Sequence, residues 1–530
     1  MTTRTDETKG AAPVFPLRLG GAEDFARVES LLKLSGFDEA TICRMLDLGE
    51  MADLSSVKPE QVDLSKEGSA TLAVLIRIFL FSQPIPRADV EQLIDAATLE
   101  SLVALDVFRI GAFGADTKTE MYYSPVFLYP VEGLLIASDR HNNPDGSAFF
   151  PPPDIVFPAI NAGSLSFLRI IPKTPTASVL DLCSGSGVAA LALNNCSERV
   201  VASDITARAT HFADFNRLLN RCSRVEVRQG DLYASVEGEM FDRIVAHPPY
   251  VPSLSKTVIY RDGGETGETL VRRIIEKLPA HLRPGGTYYS ICVGLDTDEG
   301  GFEQRVRTWL GESQDEFDVI FAFSDERSPA RFVREVTALT RSEDPSEIGR
   351  WDDLFSSIGA RKLVYGALVI HRKAEESDAG AGRASQPLTA RPRLSASTDG
   401  ASFEWALDWH HWRSRPDSGE EISNATPRLA PFLRVKVIHR VRDNQLVPAE
   451  FMLESDKPFV SVTKVDPWIV PLIAEFDGQR STAELYQAAR DVSALPESFS
   501  LGDFIGMVAI LIERGYLEID GDILDAQRCY

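Results

Sequence analysis

The sequence predicts an α/β protein whose central sheet is mostly parallel and carries helices on both faces. Two observations support this prediction. Hydrophobic, β-rich runs alternate with helical segments from Ser178 onward, and 530 residues exceed what one hydrophobic core normally supports. A helical region precedes the alternating part, and a mixed region of strands and helices follows it. We therefore expect an N-terminal helical domain, a central α/β domain and a small C-terminal α+β domain.

Composition and charge narrow the possible partners. Hydrophobic residues make up 44% of the chain and charged residues 25%, which is ordinary for a globular protein. The formal net charge of -23 repels phosphate backbones, so nucleic acid is an unlikely partner. A net charge does not describe its distribution, so a local basic groove is still compatible with it.

Cysteine usage and hydropathy predict a cytoplasmic protein. The six cysteines form no CxxC pair and have no nearby histidine at zinc spacing, which favours neither a disulfide framework nor a metal site. The first residues lack an apolar signal core. The longest apolar run, 73–81, is interrupted by Arg77 and is too short to span a bilayer, so we expect no membrane segment.

Residues 1–120 are predicted to form a helical cap. Apolar residues recur at helical spacing in two stripes: Phe25, Val28, Leu31 and Leu32, then Leu72, Val74, Leu75, Ile78 and Phe79. These helices suggest a winged-helix-like arrangement, for which a packing role is favoured over nucleic-acid binding. Residues 121–148 contain two β-rich runs around Tyr129-Pro130, which predict a β-hairpin connector.

Residues 149–373 contain the strands and helices of the predicted α/β domain. The predicted strands are SVLDLC, RVVASD, RVEVRQGD, DRIVAHPPY and GTYYSICV, separated by helical segments, and this alternation predicts parallel strands. Two later strands, Phe317 to Phe323 and Lys362 to His371, are expected to close the sheet as an antiparallel pair.

Residues 374–400 are rich in Ala, Gly, Ser and Pro and predict a linker, and residues 401–530 predict a winged-helix-like α+β domain. Within that domain, Trp405, Trp409 and Trp412 recur near helical spacing, which favours a core stripe or a docking surface. The adjacent His410 and His411 could bind a metal only with distant partners, so we expect no metal site and interpret this segment as an aromatic anchor.

A glycine-containing loop follows the first predicted strand of the α/β domain. In the segment 179–188, VLDLCSGSGV, Gly185 and Gly187 allow a ligand to approach the backbone at the start of a helix. Such a loop alone does not distinguish dinucleotide-binding from methyl-donor folds, and it also occurs as a merely tight turn.

Three further elements stand where later strands end. Asp204 lies about 20 residues after the loop, where a carboxylate can accept both hydroxyls of a ribose. The third strand ends in Gly230-Asp231-Leu232, where a carboxylate could bind an adenine amino group. The fourth ends in the segment 247–250, His-Pro-Pro-Tyr. Open parallel sheets bind ligands at this edge, so the series indicates a ligand site.

Together these motifs resemble the class I S-adenosylmethionine-dependent methyltransferases. The likeness is to the small methyltransferase branch, which includes release-factor and ribosomal-protein glutamine methyltransferases and rRNA guanine-N2 methyltransferases. It covers about 220 residues, including the downstream stretch 260–275, YRDGGETGETLVRRII. The resemblance implies a Rossmann-like sheet, S-adenosyl-L-methionine as the cofactor, and methylation of a planar or amino nitrogen.

The resemblance also implies roles for individual residues. The methionine-side loop would contain Asp181, Cys183, Gly185 and Gly187; the ribose side would contain Asp204 and Ile205; the adenine pocket would contain Asp231 and Leu232; the acceptor would be held by His247, Pro248 and Tyr250. Two positions depart from the family pattern: Cys183 replaces the first glycine of the commoner loop, and His247 replaces asparagine.

His247 determines how the acceptor would be held. The family asparagine accepts a hydrogen bond from the target nitrogen, and a neutral histidine can accept one such bond. Histidine also titrates near pH ~6.5 when unperturbed, so His247 is a candidate both for orienting the acceptor and for acting as a general base. The alternative is a structural histidine that donates to a nearby carbonyl. Pro248 and Pro249 fix two φ angles and hold the segment extended.

The segment around Phe476-Asp-Gly also weakly resembles small winged-helix chaperones that carry peptides in quinone-cofactor biosynthesis. Helix capping by Ser481 or Thr482 accounts for much of this likeness, and peptide presentation is the less favoured interpretation.

The leading functional hypothesis is an N-methyltransferase acting on a protein side chain, a peptide or a small-molecule amine or guanidine. The alternatives are an RNA base N-methyltransferase and a non-catalytic scaffold that binds the cofactor. The oligomeric state does not follow from the sequence.

Overall fold

The computed structural model describes residues 15–64, 68–113, 119–254, 259–340, 345–374 and 386–519. The chain divides into two compact units. The first unit comprises Met1–Leu165, Leu180–Ser235 and Thr257–Tyr260, and the second comprises Ser166–Val179, Val236–Lys256 and Arg261–Tyr530. The domain boundaries predicted from the sequence stay a prediction.

The N-terminal part of the first unit is helical with a small antiparallel sheet, ordered β1-β3-β2. Its elements are α1 (Ala22–Leu34), α2 (Glu39–Leu46), α3 (Ala70–Phe79), β1 (Ile85–Pro86), α4 (Arg87–Glu91), α5 (Ala96–Ala104), β2 (Arg109–Gly111) and β3 (Met121–Tyr123). Both predicted apolar stripes point inward, and Val28, Leu32 and Leu75 are fully buried. The winged-helix-like arrangement expected for this part stays a prediction.

A hairpin follows, formed by β4 (Val126–Val131) and β5 (Leu134–Asp139). The sequence placed the break between its strands at Tyr129-Pro130, and this was wrong. Pro130 lies within β4 opposite Leu135, and the turn is Glu132-Gly133, with φ angles of 54° and 72°. Two positive φ angles are what a two-residue hairpin turn requires, and a proline is tolerated where its missing N–H is not needed for pairing.

Helix α8 (Ala207–Leu219) closes the outer edge of β5 with two asparagine side chains. Asn216 Oδ1 accepts from Ala137 N at 2.8 Å, and its Nδ2 donates to Ala137 O at 2.9 Å. Asn220 does the same with Leu135 N and O, at 2.8 and 2.7 Å. Asn216 Nδ2 also donates to Ser186 O at 2.9 Å, so one buried amide connects the hairpin to the glycine loop.

We expect Asn216→Ala to destabilise the protein by about 2–4 kcal/mol, because it leaves several buried backbone groups without partners. Urea unfolding followed by circular dichroism measures this difference. Asn195→Ala, at an exposed position, is the matched control. Equal stabilities of the two variants would show that the Asn216 hydrogen bonds contribute nothing net.

The central sheet has eight strands in the order β13-β11-β12-β10-β9-β6-β7-β8. The strands are β6 (Thr176–Leu182), β7 (Ser197–Asp204), β8 (Val225–Gln229), β9 (Phe241–Ala246), β10 (Leu282–Thr297), β11 (Phe317–Arg327), β12 (Ala360–Arg372) and β13 (Thr389–Ala390). β7 pairs parallel to β8 and β9 parallel to β10, whereas β12 runs antiparallel to both β10 and β11. This confirms the predicted α/β fold and its late antiparallel strands.

Helix α6 (Ala162–Ile170) precedes the first of these strands. The helices between the strands, apart from α8, are α7 (Val188–Ala192), α9 (Thr269–His281), α10 (Phe302–Trp309), α11 (Pro329–Thr340) and α12 (Pro345–Ser357). The sequence predicted no helix at α6, α10, α11 or α12, and of these α11 and α12 add the most to the fold. They form an insertion between β11 and β12, and their apolar residues Phe332, Val333, Trp351 and Phe355 form a buried cluster with Val293, Leu295 and Leu363.

The C-terminal region is a small α+β structure. Its elements are α13 (Gly400–Arg413), α14 (Ser418–Asn424), β14 (Arg428–Leu429), β15 (Arg434–Arg442), β16 (Gln445–Ser455), β17 (Ser461–Val465), α15 (Ile469–Ile473), α16 (Thr482–Asp491), α17 (Leu501–Glu513) and β18 (Leu517–Glu518). Trp409 and Trp412 are buried in its core and Trp405 packs against it, so the tryptophan stripe is a core stripe.

Residues 375–385 of the predicted linker lie outside the described residues. The remainder of that segment is more ordered than its composition suggests. Strand β13 pairs parallel to β11, and Val319 N donates to Leu388 O at 2.8 Å. The edge of β11 supplies backbone partners that composition does not reveal. Among the described residues, no helix combines the length and hydrophobicity needed to cross a bilayer.

Candidate functional site

The glycine loop after β6 is a tight turn with three positive φ angles. Cys183, Gly185 and Gly187 have φ angles of 57°, 53° and 81°. Gly187 N donates to Ser184 O at 2.8 Å and closes the turn. Cys183 thus adopts a left-handed conformation that favours glycine, and it does so where the commoner loop has glycine. The replacement of glycine by Cys183 therefore leaves a backbone conformation that glycine would adopt.

The two glycines serve different purposes. A Cβ atom added to Gly187 would lie 3.0 Å from the Cβ of Ala213, so this glycine lets the loop pack closely on α8. A Cβ atom added to Gly185 would have no atom within 4 Å among the described residues. Gly185 therefore borders open space, where a ligand can approach the backbone.

Asp204, at the end of β7, is bonded to this loop. Its Oδ2 accepts from Gly185 N at 3.0 Å, and its Oδ1 accepts from Thr206 N at 3.0 Å. Burial raises the pKa of this carboxyl. Oδ1 also accepts a longer bond from Thr206 Oγ1 at 3.3 Å, whereas Oδ2 retains a lone pair for a further donor, and the side chain is partly exposed. Ile205 beside it is 51% exposed, which leaves an apolar surface next to the carboxylate.

Asp181 lies beneath the loop rather than on its surface. Its side chain is almost completely buried, and its Oδ2 accepts from Ala190 N in α7 at 3.0 Å. Burial, with a smaller contribution from Asp204, raises its pKa to about 8. The structure therefore indicates that Asp181 shapes the loop through α7, and its assignment as a cofactor-binding residue stays a prediction.

This raised pKa predicts a pH-dependent stability. Between the unfolded carboxyl value near ~4 and the folded value of about 8, the folded protein binds more protons, so its stability falls as pH rises. We expect Asp181→Asn, which cannot ionise, to flatten this decline. Urea unfolding of both proteins at several pH values measures it, and parallel curves would contradict the assignment.

Ser184 and Asp231 complete this part of the site. The Ser184 hydroxyl is buried and has no hydrogen-bond partner among the described residues. Sequence analysis missed this residue, for which the only signal was its place within the loop. Asp231 is exposed at the end of β8, and Leu232 beside it is buried, with a φ angle of 52°. A nucleoside-bearing ligand fits these polar side chains, because its ribose hydroxyls can donate to Asp204 and its other polar groups can bond to Ser184.

In the second unit, His247 follows β9 and lies between two aromatic rings. Its ring centroid is 5.1 Å from that of Phe167 on α6 and 5.6 Å from that of Tyr250. In the described parts of the chain, no group forms a hydrogen bond with its ring nitrogens. Burial lowers its pKa to about 4, so the imidazole is neutral at physiological pH. This environment favours a hydrogen-bond acceptor over a structural histidine or a general base.

The stretch 251–267 supports the preceding His-Pro-Pro-Tyr segment from one side. Val251 N donates to Arg261 O, and Gly263 N donates to Val251 O, both at 2.9 Å. A Cβ atom on Gly263 would lie 2.7 Å from Tyr250 Cα, and one on Gly267 would lie 2.4 Å from Tyr250 O. Both glycines are therefore needed for this close approach.

Glu268 was not identified from the sequence. Its buried carboxylate accepts from Leu295 N at 2.7 Å and from both terminal nitrogens of Arg305, at 2.8 and 2.9 Å. Burial raises its pKa despite this ion pair. Glu268 fixes the start of α9 to β10 and so holds the supporting stretch in place.

Tyr250, the last residue of the His-Pro-Pro-Tyr segment, packs against the inserted helices α11 and α12. Together with Leu254 it packs against the apolar cluster that includes Trp351 of α12. Burial raises the pKa of Tyr250 to about 12, so its phenol stays protonated. The α11–α12 insertion therefore forms an apolar wall next to Tyr250.

Comparisons with known proteins agree with the resemblance inferred from the sequence. Residues 156–294 match the family model described as "Methyltransferase small domain". The release factor glutamine methyltransferase of Koribacter versatilis is 31% identical over 159 residues, which are 27% of this chain and 56% of that protein. The ribosomal protein uL3 glutamine methyltransferase of Bradyrhizobium diazoefficiens is 32% identical over 174 residues, 30% of this chain and 53% of that protein. The chain thus spans little more than half the length of these relatives.

Among the solved structures that match part of the chain are two methyltransferases. The ribosomal protein L11 methylase from Lactobacillus delbrueckii subsp. bulgaricus has a TM-score of 0.22 and 19% identity, covering 38% of this chain and 71% of that chain. The M. jannaschii tRNA m1G37 methyltransferase has a TM-score of 0.27 and 15% identity, covering 51% of this chain and 63% of that chain.

Proposed function

We propose that this chain transfers a methyl group from S-adenosyl-L-methionine to a nitrogen of a protein side chain, a peptide or a small amine. The observation that carries this proposal is the environment of His247, a neutral imidazole without a hydrogen-bond partner in the described parts of the chain. It stands where the small methyltransferases have an asparagine. The family match over residues 156–294 supports the same conclusion.

Residues of the first unit would hold the cofactor. Asp204 would accept hydrogen bonds from ribose hydroxyls, and Gly185 would let the ligand approach the loop backbone. Ser184 would bond a polar group of the methionine portion, while Ile205, Asp231 and Leu232 would border the adenine. When bound, the cofactor supplies an electrophilic methyl carbon on a sulfonium.

Residues of the second unit would hold the acceptor. A ring nitrogen of His247 accepts a hydrogen bond from the target N–H and so orients the nitrogen lone pair. Pro248 and Pro249 keep the segment extended, with its carbonyls available for a second hydrogen bond. The rings of Phe167 and Tyr250 exclude water on either side of the imidazole. These residues contribute to catalysis by positioning the acceptor nitrogen, which is the main requirement of an in-line methyl transfer.

A protein side-chain amide is the acceptor that we favour. The curated relatives are glutamine methyltransferases of a release factor and a ribosomal protein, and a primary amide offers the planar N–H that a neutral histidine can orient. The net charge of -23 argues against RNA.

Labelled-methyl transfer tests the proposal. Purified full-length protein is incubated with labelled cofactor and with recombinant release factor, ribosomal protein uL3, or cell lysate separated into protein, RNA and small molecules. We expect label in the protein or small-molecule fraction. Label that RNase removes would support the RNA alternative. Copurified S-adenosylhomocysteine without any transfer would support the scaffold.

A further inference from the structure

Three side chains with metal-ligating atoms meet in the second unit, outside the site described above. They are Asp318 on β11, His371 on β12 and His411 on α13, and their ligating atoms all lie within 4.8 Å of one another. The sequence indicated that His411 could bind a metal only with distant partners. Asp318 and His371 are such partners.

The three groups form a partly accessible cluster. His411 Nε2 lies 2.7 Å from Asp318 Oδ2, and the ring centroids of His371 and His411 are 5.7 Å apart. The Asp318 side chain is fully buried, whereas that of His411 is 27% exposed. A small ion can therefore reach the cluster from the side of His411.

Neighbouring groups hold two of the side chains in orientations that suit a metal. Asp318 Oδ1 accepts from Leu388 N at 2.7 Å, which leaves Oδ2 directed at His411. His371 Nδ1 is bonded to Thr287 Oγ1 at 3.0 Å, and the imidazole also forms a hydrogen bond with the backbone of Gly286. Nε2 is the ring nitrogen that Thr287 does not occupy. Metal-binding histidines commonly use their second nitrogen in this way. The nearby Arg307 donates to Phe317 O and Leu388 O.

We propose that Asp318, His371 and His411 bind one divalent transition-metal ion, with Zn²⁺ as the preferred ion. Two imidazoles and a carboxylate are typical zinc ligands, and water would complete four-coordination. Among the described residues, no fourth histidine, cysteine or acidic side chain joins this group. Bonds of about 2.0–2.1 Å place neighbouring ligand atoms about 3.3 Å apart, so binding separates Asp318 from His411 slightly and draws His371 inward.

The position of the cluster indicates a structural role. Thr287 pairs with Arg243 near the start of β9, whereas the His-Pro-Pro-Tyr segment follows the end of that strand. The cluster is thus at the opposite end of the strand from the acceptor residues. A metal here would join α13 to β11 and β12. This inference does not depend on the proposed function.

The test is a Co²⁺ titration of the full-length protein after treatment with a chelator. We expect visible ligand-field absorption that saturates at one equivalent and is abolished by competing Zn²⁺. Saturating Zn²⁺ should raise the melting temperature. His371→Gln, His411→Gln and Asp318→Asn should lose these signals, while His411→Cys, which keeps a ligand, should retain them.

His410→Gln is the matched control, because His410 adjoins His411 but bonds to Gln386 O at 2.9 Å. It should bind Co²⁺ like the wild type. Absence of stoichiometric binding to the wild-type protein would overturn the proposal and leave a purely hydrogen-bonded cluster. Equal loss in the His410 variant, or wild-type binding by the three ligand variants, would overturn it as well.

Discussion

Replacing Asp204 with alanine is expected to weaken S-adenosyl-L-methionine binding about 100-fold. Two hydrogen bonds from ribose hydroxyls to a carboxylate, each contributing about 1.5 kcal/mol, correspond to that factor. The substitution also removes the acceptor of Gly185 N and loosens the loop. Isothermal titration calorimetry with the cofactor measures the change.

Two variants serve as comparisons for Asp204. Asp204→Asn keeps one acceptor oxygen, and we expect an intermediate loss of about 10-fold. Asp214→Ala removes an aspartate on α8 that is paired with Arg217 instead, and we expect unchanged affinity. Wild-type affinity in the Asp204→Ala protein would exclude Asp204 as the ribose ligand.

Replacing His247 with alanine is expected to lower kcat about 100-fold while leaving cofactor affinity unchanged. The reason is that the acceptor loses the group that orients its nitrogen, and a misplaced nucleophile reacts about that much more slowly. Labelled-methyl transfer gives the rate, and calorimetry gives the cofactor affinity. His247→Asn, which restores the family residue, should retain most of the turnover.

The pH profile separates the two roles considered for His247. Its pKa of about 4 makes the imidazole neutral throughout the physiological range, so kcat should show no titration of this residue near pH ~6.5. A rate that rises through that pH in the wild type, but not in His247→Asn, would restore the general-base role. Undiminished turnover in His247→Ala would exclude both roles.

The sequence predicted the succession of strands along the chain and most of their C-terminal ends, because those features follow from local hydrophobic periodicity. Asp204 and the segment after β9 lie where the alternation of strands and helices placed them. The protonation state of His247 could not be predicted in the same way. It depends on Phe167, which packs against it from 80 positions earlier in the chain.

Other missed features have the same origin. Glu268 is paired with Arg305, and Asp318 contacts His411 across 93 positions, so neither contact has a local pattern. The α11–α12 insertion has ordinary helical periodicity, but its packing near Tyr250 follows only from the fold. The turn at Glu132-Gly133 could not be predicted from Pro130, because a proline is also tolerated within a strand where its N–H is not needed for pairing.

The carboxamides of Asn216 and Asn220 have a consequence for solubility. Four helical residues span about 6.0 Å and two strand residues about 6.6 Å, so two side chains on a helix match alternate residues of a strand, but a longer series would drift out of step. An unpaired strand edge can recruit another chain and start aggregation. The two asparagine side chains of α8 therefore satisfy the edge of β5 in place of a neighbouring strand. Inserting one residue between the two asparagines would expose that edge and should make the protein aggregate.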